Sequence, residues 1–296
     1  MSANTPRTLL HVISSVPASD GAGVKLRRSL GSQRGLHVDP FLMLDEFFSD
    51  SPDDYLAGFP AHPHRGFETV TYMLDGHMRH EDHLGNRGDL GPGSVQWMTA
   101  ARGIIHSEMP QQTQGRMRGF QLWINLPSKE KMKPAGYRDI PADEIPVVQL
   151  PGGGQLKVVA GAFRETAGPI NSGGTRLSTD PTYLDVHLPG GGEFNTRLPL
   201  SYNAFLYPYE GSAVVGPAGK TRPLPHRSAG VLSDGDEVRV VAGAEGVRFL
   251  LLAAKPLREP VVQYGPFVMN TREEIEQALA DYRDGTLALD EARQTG

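Results

Sequence analysis

The chain has 296 residues, a formal net charge of −5 at pH 7 and 10 histidines, but no cysteine. These values exclude disulfides and thiolate metal ligands, and the acidic balance argues against direct binding of nucleic acid. No apolar run is long enough to cross a bilayer, and residues 1–6 lack the pattern of a secretion signal. We therefore expect a cytoplasmic protein with no membrane partner.

Glycine and proline are abundant, with 35 and 24 copies, and they lie between short apolar runs. This rhythm predicts many short strands, and so an all-β protein built as a sandwich or barrel. The length suits two domains of ordinary size. We place their connection in the polar, proline-containing stretch after residue 128. The predicted domains are 1–145 and 146–296.

The first strongly apolar segment, 38–48, reads as a buried strand that carries Asp45 and Glu46. These carboxylates could serve a metal or proton site, but pairing with an arginine or capping a turn is the favoured interpretation. A strand follows at 67–74. Asp75-Gly76 then predicts a hairpin with 77–83 as its return strand, and 120–126 alternates as a half-buried strand does.

Two short polar patterns mark the ends of the stretch 61–110: His62 and His64 lie two residues apart, as do His106 and Glu108. Residues i and i+2 of a strand point to the same face, so each pair can aim both donors into one cavity. Pro63 lacks an N–H group and suggests an edge strand or a bend. If the two segments are neighbouring strands, three imidazoles and a carboxylate converge, a set that suits a first-row transition metal with open positions. The alternative is that the histidines are hydrogen-bonded core residues.

The second half repeats the strand-and-turn rhythm but holds only His187 and His226, far apart in sequence. A second barrel would therefore lack this set of metal ligands. The C-terminal region differs, because Thr271 and Glu274 fit a capping box and Gly285 fits a helix stop. We predict a structural helix between them.

The residues assembled above resemble the pirin family of the cupin superfamily. The matching segments are 39–48, 59–76, 80–82, 93–110 and 265–274. The resemblance implies a bicupin, that is, two antiparallel β-barrels with a C-terminal helix. It also implies one divalent transition metal, typically Fe(II), in the N-terminal barrel, although nickel, copper or zinc would suit the donors. The implied ligands are His62, His64, His106 and Glu108.

Glu68 resembles the glutamate ligand of other cupins, and we expect it instead to orient a metal-bound histidine. Some pirins resemble quercetin 2,3-dioxygenases, which open the central ring of a flavonol with O₂. In that case Glu108, or else Glu68, is the general base. Arg65 would attract the developing anion or form an ion pair with Glu68 or Asp82.

Two other functions stay open. Other pirins resemble non-enzymatic regulators whose metal changes the affinity for a transcription factor or a metabolic enzyme. A metal-free cupin that binds or isomerises sugars is the third interpretation.

Overall fold

The computed structural model describes residues 5–170 and 177–288, and their regular secondary structure is almost entirely antiparallel β-strand, which confirms the predicted fold class. The first twelve strands are β1 (Leu9–Ser14), β2 (Val16–Asp20), β3 (Val24–Arg28), β4 (Phe41–Ser49), β5 (Phe59–His64), β6 (Phe67–Asp75), β7 (Met78–Asp82), β8 (Arg87–Leu90), β9 (Val95–Thr99), β10 (Ile104–Pro110), β11 (Met117–Asn125) and β12 (Gly136–Ile140).

The later strands are β13 (Val147–Gln149), β14 (Gln155–Ala160), β15 (Ala162–Phe163), β16 (Thr166–Ala167), β17 (Thr182–Leu188), β18 (Glu193–Arg197), β19 (Asn203–Val215), β20 (Arg222–Leu224), β21 (Ser228–Leu232), β22 (Glu237–Ala254), β23 (Val262–Tyr264) and β24 (Phe267–Met269). The helix α1 spans Arg272–Arg283, and short 3-10 helices lie at Pro52–Asp54, Ser128–Glu130 and Ala142–Glu144.

The chain forms two compact units, each of them a β-barrel. Among the described residues, the first barrel takes 17–28, 41–142 and 257–288, and the second takes 5–16, 29–40, 143–170 and 177–256. This division differs from the predicted continuous ranges 1–145 and 146–296. Residues 5–16 and 29–40 belong to the second barrel, and residues 257–288 belong to the first. Strand β1 pairs with β21 of the second barrel, and α1 packs on β23 and β24 of the first.

Two sheets build the first barrel, with strand orders β12-β9-β6-β11-β4-β3-β2 and β5-β10-β7-β8. Strand β11 lies between β4 and β6, and eight of its nine residues are buried. The strand predicted at 120–126 is present, but its predicted half-burial is wrong, because a central strand here is covered on both faces. A buried apolar cluster of the first barrel contains Val24, Leu26, Phe47, Tyr55, Met73, Met78, Leu90 and Met117.

The predicted hairpin at Asp75-Gly76 is also wrong in its pairing. Gly76 adopts φ +88°, as a tight turn requires, but β6 pairs with β9 and β11 whereas β7 pairs with β8 and β10. The turn therefore leads the chain from one sheet of the barrel to the other. A turn signal fixes the local backbone, not the partner of the next strand.

The two carboxylates of β4 pair with arginines, which confirms the favoured interpretation of that segment. Asp45 accepts two hydrogen bonds from Arg28, at 2.8 and 2.6 Å, and Glu46 lies 3.5 Å from Arg118. Burial raises the pKa of Asp45 to about 6, against the lowering effect of Arg28. Both carboxylates thus serve the packing of the sheet.

The second barrel is one large sheet in the order β1-β21-β19-β22-β17-β14-β13, with β18 and β20 paired at its sides. The 18-residue strand β22 binds β17, β18 and β19. Alternate residues of β17, namely Leu184, Val186 and Leu188, enter the apolar core. The apolar positions that alternate along the sequence of this strand are therefore the ones that face the core.

The C-terminal helix has the predicted capping box. The Thr271 hydroxyl accepts from the Glu274 N–H at 3.2 Å, and the Glu274 carboxylate accepts from the Thr271 N–H at 3.0 Å. The helix ends before Gly285, whose φ is +74°. Its buried residues Ile275 and Ala278 pack with Phe267 and Met269. Among the described residues no helix has the length and apolarity needed to span a membrane.

Candidate metal centre

Strands β5 and β10 carry the two polar patterns and are antiparallel neighbours, as predicted. His106 lies directly opposite His62, and Ile104 lies opposite His64. Strand β5 is the outermost strand of its sheet. The position of Pro63 is explained, because an edge strand loses no ladder hydrogen bond on its open side.

The three imidazoles converge. His62, His64 and His106 each offer a nitrogen, and these atoms lie within 4.8 Å of one another. The ring centroids are 4.4 to 4.9 Å apart. His64 and His106 are buried, and His62 is partly exposed. The donors therefore meet at a site whose inner side is closed off by protein.

The hydrogen bonds of His62 fix its tautomer. Its Nδ1 lies 2.8 Å from the carbonyl oxygen of Pro60 and must donate to it, so the lone pair is on Nε2. That Nε2 atom is 3.0 Å from Nε2 of His64. Two nitrogens bound at right angles to one ion, each at about 2.1 Å, are also about 3 Å apart. The spacing thus fits two ligands of one metal.

His106 is oriented by His80, a contact that the sequence interpretation missed. Their Nδ1 atoms lie 3.2 Å apart, so one ring donates to the other. Nε2 of His106 is buried and has no hydrogen-bond partner within the described part of the chain. An imidazole whose other nitrogen is held in this way is typical of a metal ligand. Alternation along Met78, His80 and Asp82 was the signal that could have indicated this role.

Burial favours the neutral form of His64, His80 and His106. It lowers the pKa of His64 and of His106 well below the ordinary value, and neighbouring histidines lower both further. Burial also lowers the pKa of His80, against the opposing charge of Glu108. Neutral imidazole is the form that binds metal ions.

Glu108 is buried two residues beyond His106, and its carboxylate is held by neighbouring side chains. Thr71 Oγ1 lies 3.0 Å from Oε1, and the Gln121 amide donates to Oε2 at 3.1 Å. Thr71 also lies 2.9 Å from Gln121 Oε1, so its single proton serves one acceptor at a time. The carboxylate is not part of the compact three-nitrogen group. Neither Thr71 nor Gln121 was predicted, although they are opposite each other on β6 and β11.

Glu68 does not have the role predicted for it. Its carboxylate accepts a hydrogen bond from the Thr99 hydroxyl at 2.7 Å, not from a histidine. Burial raises the pKa of Glu68, against the lowering effect of that hydrogen bond. Strand β6 pairs here with β9, which brings Thr99 opposite Glu68 and directs the carboxylate to that strand.

Arg65 pairs with neither Glu68 nor Asp82, so both predicted ion pairs are wrong. Its Nη1 lies 2.6 Å from Oδ2 of Asp281, and its Nη2 donates to the carbonyl oxygen of Leu287 at 3.3 Å. Its Nε donates to the carbonyl oxygen of Arg102. The side chain is only 3% exposed, and its ion-pair partner lies in the C-terminal helix.

Aromatic rings form one side of the cluster. The His64 ring packs against Trp123 and Phe67, with centroids 5.4 and 5.1 Å away. Trp123 and Phe67 pack with Leu42, Met43 and Val268 in one buried apolar cluster. The His64 imidazole therefore lies against an apolar wall.

The donors present fit a resident divalent transition metal. Neutral imidazoles and a carboxylate are ligands of such ions, and a buried nitrogen without a partner is costly unless something binds it. Two lone pairs 3.0 Å apart would also repel unless a proton or a cation lies between them. Iron, nickel, copper and zinc all accept this set of nitrogen and oxygen donors.

Comparison with known proteins gives the family. The Pirin family model matches residues 23–124, and the model of the pirin C-terminal cupin domain matches residues 183–288. A Pseudomonas aeruginosa protein provisionally named a quercetin 2,3-dioxygenase is 56% identical over 96% of this chain and 99% of its own length. Human pirin is 42% identical over 93% and 92% of the two chains.

A solved structure agrees with these relatives. The crystal structure of a quercetin 2,3-dioxygenase from Acinetobacter baumannii matches with a TM-score of 0.85 and 32% identity, over 95% of this chain and 98% of that one. Family models, relatives and structure all extend over both barrels. The chain belongs to the pirin family, as a bicupin whose histidine cluster can hold a metal ion.

Proposed function

We propose that this protein is a metal-dependent dioxygenase of the quercetin 2,3-dioxygenase type. The observation that carries the proposal is the convergence of three imidazoles, the third of which shares its strand with a carboxylate that Thr71 and Gln121 hold in place. The names of the Pseudomonas and Acinetobacter relatives support the same activity. The substrate class is then a flavonol, with O₂ as the second substrate.

His62, His64, His106 and Glu108 would hold one divalent metal per chain, with Fe(II) as our choice. When bound, such a metal supplies a Lewis acid for the flavonol oxygens and redox chemistry for O₂. The protein orients the ligands from behind, through Pro60 for His62 and through His80 for His106. These contacts set which nitrogen faces the cluster.

Glu108 is our candidate for the general base. A flavonol must lose the proton of its 3-hydroxyl group to become electron-rich, and a Glu108 carboxylate oxygen can accept it. Thr71 and Gln121 hold the carboxylate from the side, so its position is fixed before substrate arrives. Glu68 lies buried against Thr99 and is the weaker candidate.

The aromatic wall beside His64 makes that side of the cluster apolar. Phe67 is fully buried and Trp123 is 9% exposed, and the two rings pack on each other with centroids 4.3 Å apart, so they support the His64 ring from behind. An apolar surface there also protects reactive intermediates from side reactions.

The test is anaerobic reconstitution with Fe(II), followed by quercetin and air. We expect loss of flavonol absorbance with matching O₂ uptake, and a fall of at least 100-fold in Glu108→Gln. His187→Ala, in the second barrel, is the matched control and should keep the rate. Unchanged absorbance over hours with iron bound would refute the enzyme and favour a protein whose metal regulates a partner.

A further inference from the structure

We propose that residues 281–288, which we call the C-terminal clamp, position the strands that carry the metal ligands. The inference rests on the proposed metal site. The clamp begins at the last turn of α1 and touches the chain beside His64 and beside His106. None of its residues is a metal ligand, so it would act through the backbone of β5 and β10.

The first contact is the guanidinium of Arg65, the residue directly after His64. It lies 2.6 Å from the carboxylate of Asp281 and donates to the carbonyl oxygen of Leu287 at 3.3 Å. Arg65 is nearly fully buried, whereas Asp281 is 21% exposed. A buried guanidinium needs its partner, so the position of Arg65 depends on Asp281.

The second contact explains a glycine of the β10 segment. Gly103 has φ +155°, and a Cβ added there would lie 2.2 Å from the carbonyl oxygen of Leu287. Only a residue without a side chain allows the clamp to approach so closely. Leu287 is buried, with 1% exposure, and packs in the cluster that includes Ile105. The clamp therefore rests on the backbone three residues before His106.

The third contact runs through His83. Its Nδ1 accepts from the backbone N–H of Ile105 at 3.3 Å, so its Nε2 carries the proton and donates to the carbonyl oxygen of Ala288 at 2.9 Å. Ile105 is the neighbour of His106. One imidazole thus links the end of the clamp to the strand of the third ligand.

These contacts make metal binding and docking of the clamp mutually dependent. If the docked clamp raises the affinity for metal, then bound metal must stabilise the docked clamp by the same factor. Arg65 and Asp281 are 216 positions apart in sequence, so this is tertiary positioning and not a local turn.

The experiment compares Asp281→Asn with wild type, with Asp284→Asn as the matched control. Asp284 is the next carboxylate of the same segment, but it pairs with exposed Arg283. Ni(II) affinity, measured by competition with a chelator, should fall about tenfold in Asp281→Asn and stay at the wild-type value in Asp284→Asn. Equal affinity in all three proteins overturns the inference and leaves the metal site standing. Wild type that binds no Ni(II) overturns both.

A second variant and a second measurement guard against misfolding. His83 is exposed, so His83→Ala should fold and should still weaken Ni(II) binding about threefold, a smaller loss because one hydrogen bond is removed. Unchanged affinity there would contradict the inference. In wild type, hydrogen exchange of residues 281–288 should slow when Ni(II) is added, and exchange insensitive to the metal would also overturn it.

Discussion

Each barrel has a histidine and an acidic residue two positions apart on one strand, but the two histidines differ in their hydrogen-bond partners. In the first barrel, His106 and Glu108 share a strand face, and Nε2 of His106 has no partner among the described residues. In the second, Asp185 and His187 share a face of β17, but Nε2 of His187 lies 3.1 Å from Asp185 and 2.9 Å from the Tyr209 hydroxyl. Tyr209 also donates to Asp185 at 2.6 Å.

The difference lies in what the protein itself satisfies. The second cluster is a closed set, because carboxylate, phenol and imidazole meet one another's hydrogen-bonding needs. The first leaves lone pairs directed at one point, and that costs stability unless an ion binds there. An acid and a histidine two residues apart are therefore not enough for a metal centre. The nitrogens must also lack protein partners.

The difference between the two clusters is tested most directly by removing one histidine from each barrel. We expect His106→Ala to lose nearly all bound metal after reconstitution with Fe(II) or Ni(II), because the remaining donors no longer surround an ion. His187→Ala should keep the wild-type stoichiometry. Metal content per chain by elemental analysis decides this, and equal occupancy in both variants would show that the two clusters are equivalent.

A second prediction separates the two buried glutamates of the first barrel. Glu108→Ala should weaken metal binding by about 10- to 100-fold, because it removes a proposed ligand. Glu68→Ala should weaken it less, since its carboxylate bonds to Thr99. Chelator competition with Ni(II) gives both values. Equal losses would mean that the roles of the two carboxylates are assigned wrongly.

Acid should destabilise the metal-free first barrel. Burial lowers the pKa of His64, His80 and His106 in the folded state, whereas the unfolded chain takes up protons near pH 6.5. Below that pH the unfolded state therefore binds more protons, and the free energy of unfolding falls by up to about 1.4 kcal/mol per pH unit for each such histidine. We expect the three histidines together to lower the free energy of unfolding by about 1–3 kcal/mol between pH 6.5 and 5.5.

Urea unfolding followed by tryptophan fluorescence measures this, because the chain has 2 tryptophans and both Trp97 and Trp123 lie in the first barrel. His106→Gln should show a shallower pH dependence than wild type. A free energy of unfolding that is constant from pH 7.5 to 5.5 would contradict the argument that burial keeps these imidazoles neutral.

The smallest expected effect concerns the closed cluster of the second barrel. Tyr209→Phe removes the hydroxyl that donates to Asp185 and should destabilise the protein by about 1–2 kcal/mol, with metal content unchanged. Tyr264→Phe, at a 63% exposed position, is the control and should change little. Calorimetry measures both. A loss of metal in Tyr209→Phe would mean that the second cluster supports the first.

Local patterns predicted much of the fold and the centre of the site. Strand alternation placed His62, His64 and His106 correctly, since two neighbouring strands need only the right register to bring them together. The capping box at Thr271 and the edge position of Pro63 are local effects of the same kind. Each depends on backbone geometry within a few residues.

Contacts between distant segments were not predictable in this way. Arg65 follows His64 in sequence, yet its partner Asp281 lies 216 positions later. Glu68 faces Thr99 because β6 pairs with β9. His80 reaches His106 because β7 pairs with β10, the strand that carries His106. Spacing along the chain carries no information about which strand becomes a neighbour.

The edge position of β5 has a consequence for solubility. An outermost strand offers a row of backbone donors and acceptors to which another molecule can add its own strand. Two of the six residues of β5, Pro60 and Pro63, have no N–H group to offer. The histidine-bearing edge is therefore a poor template for self-association, and replacing either proline would expose the protein to aggregation at the very place where it keeps its reactive donors.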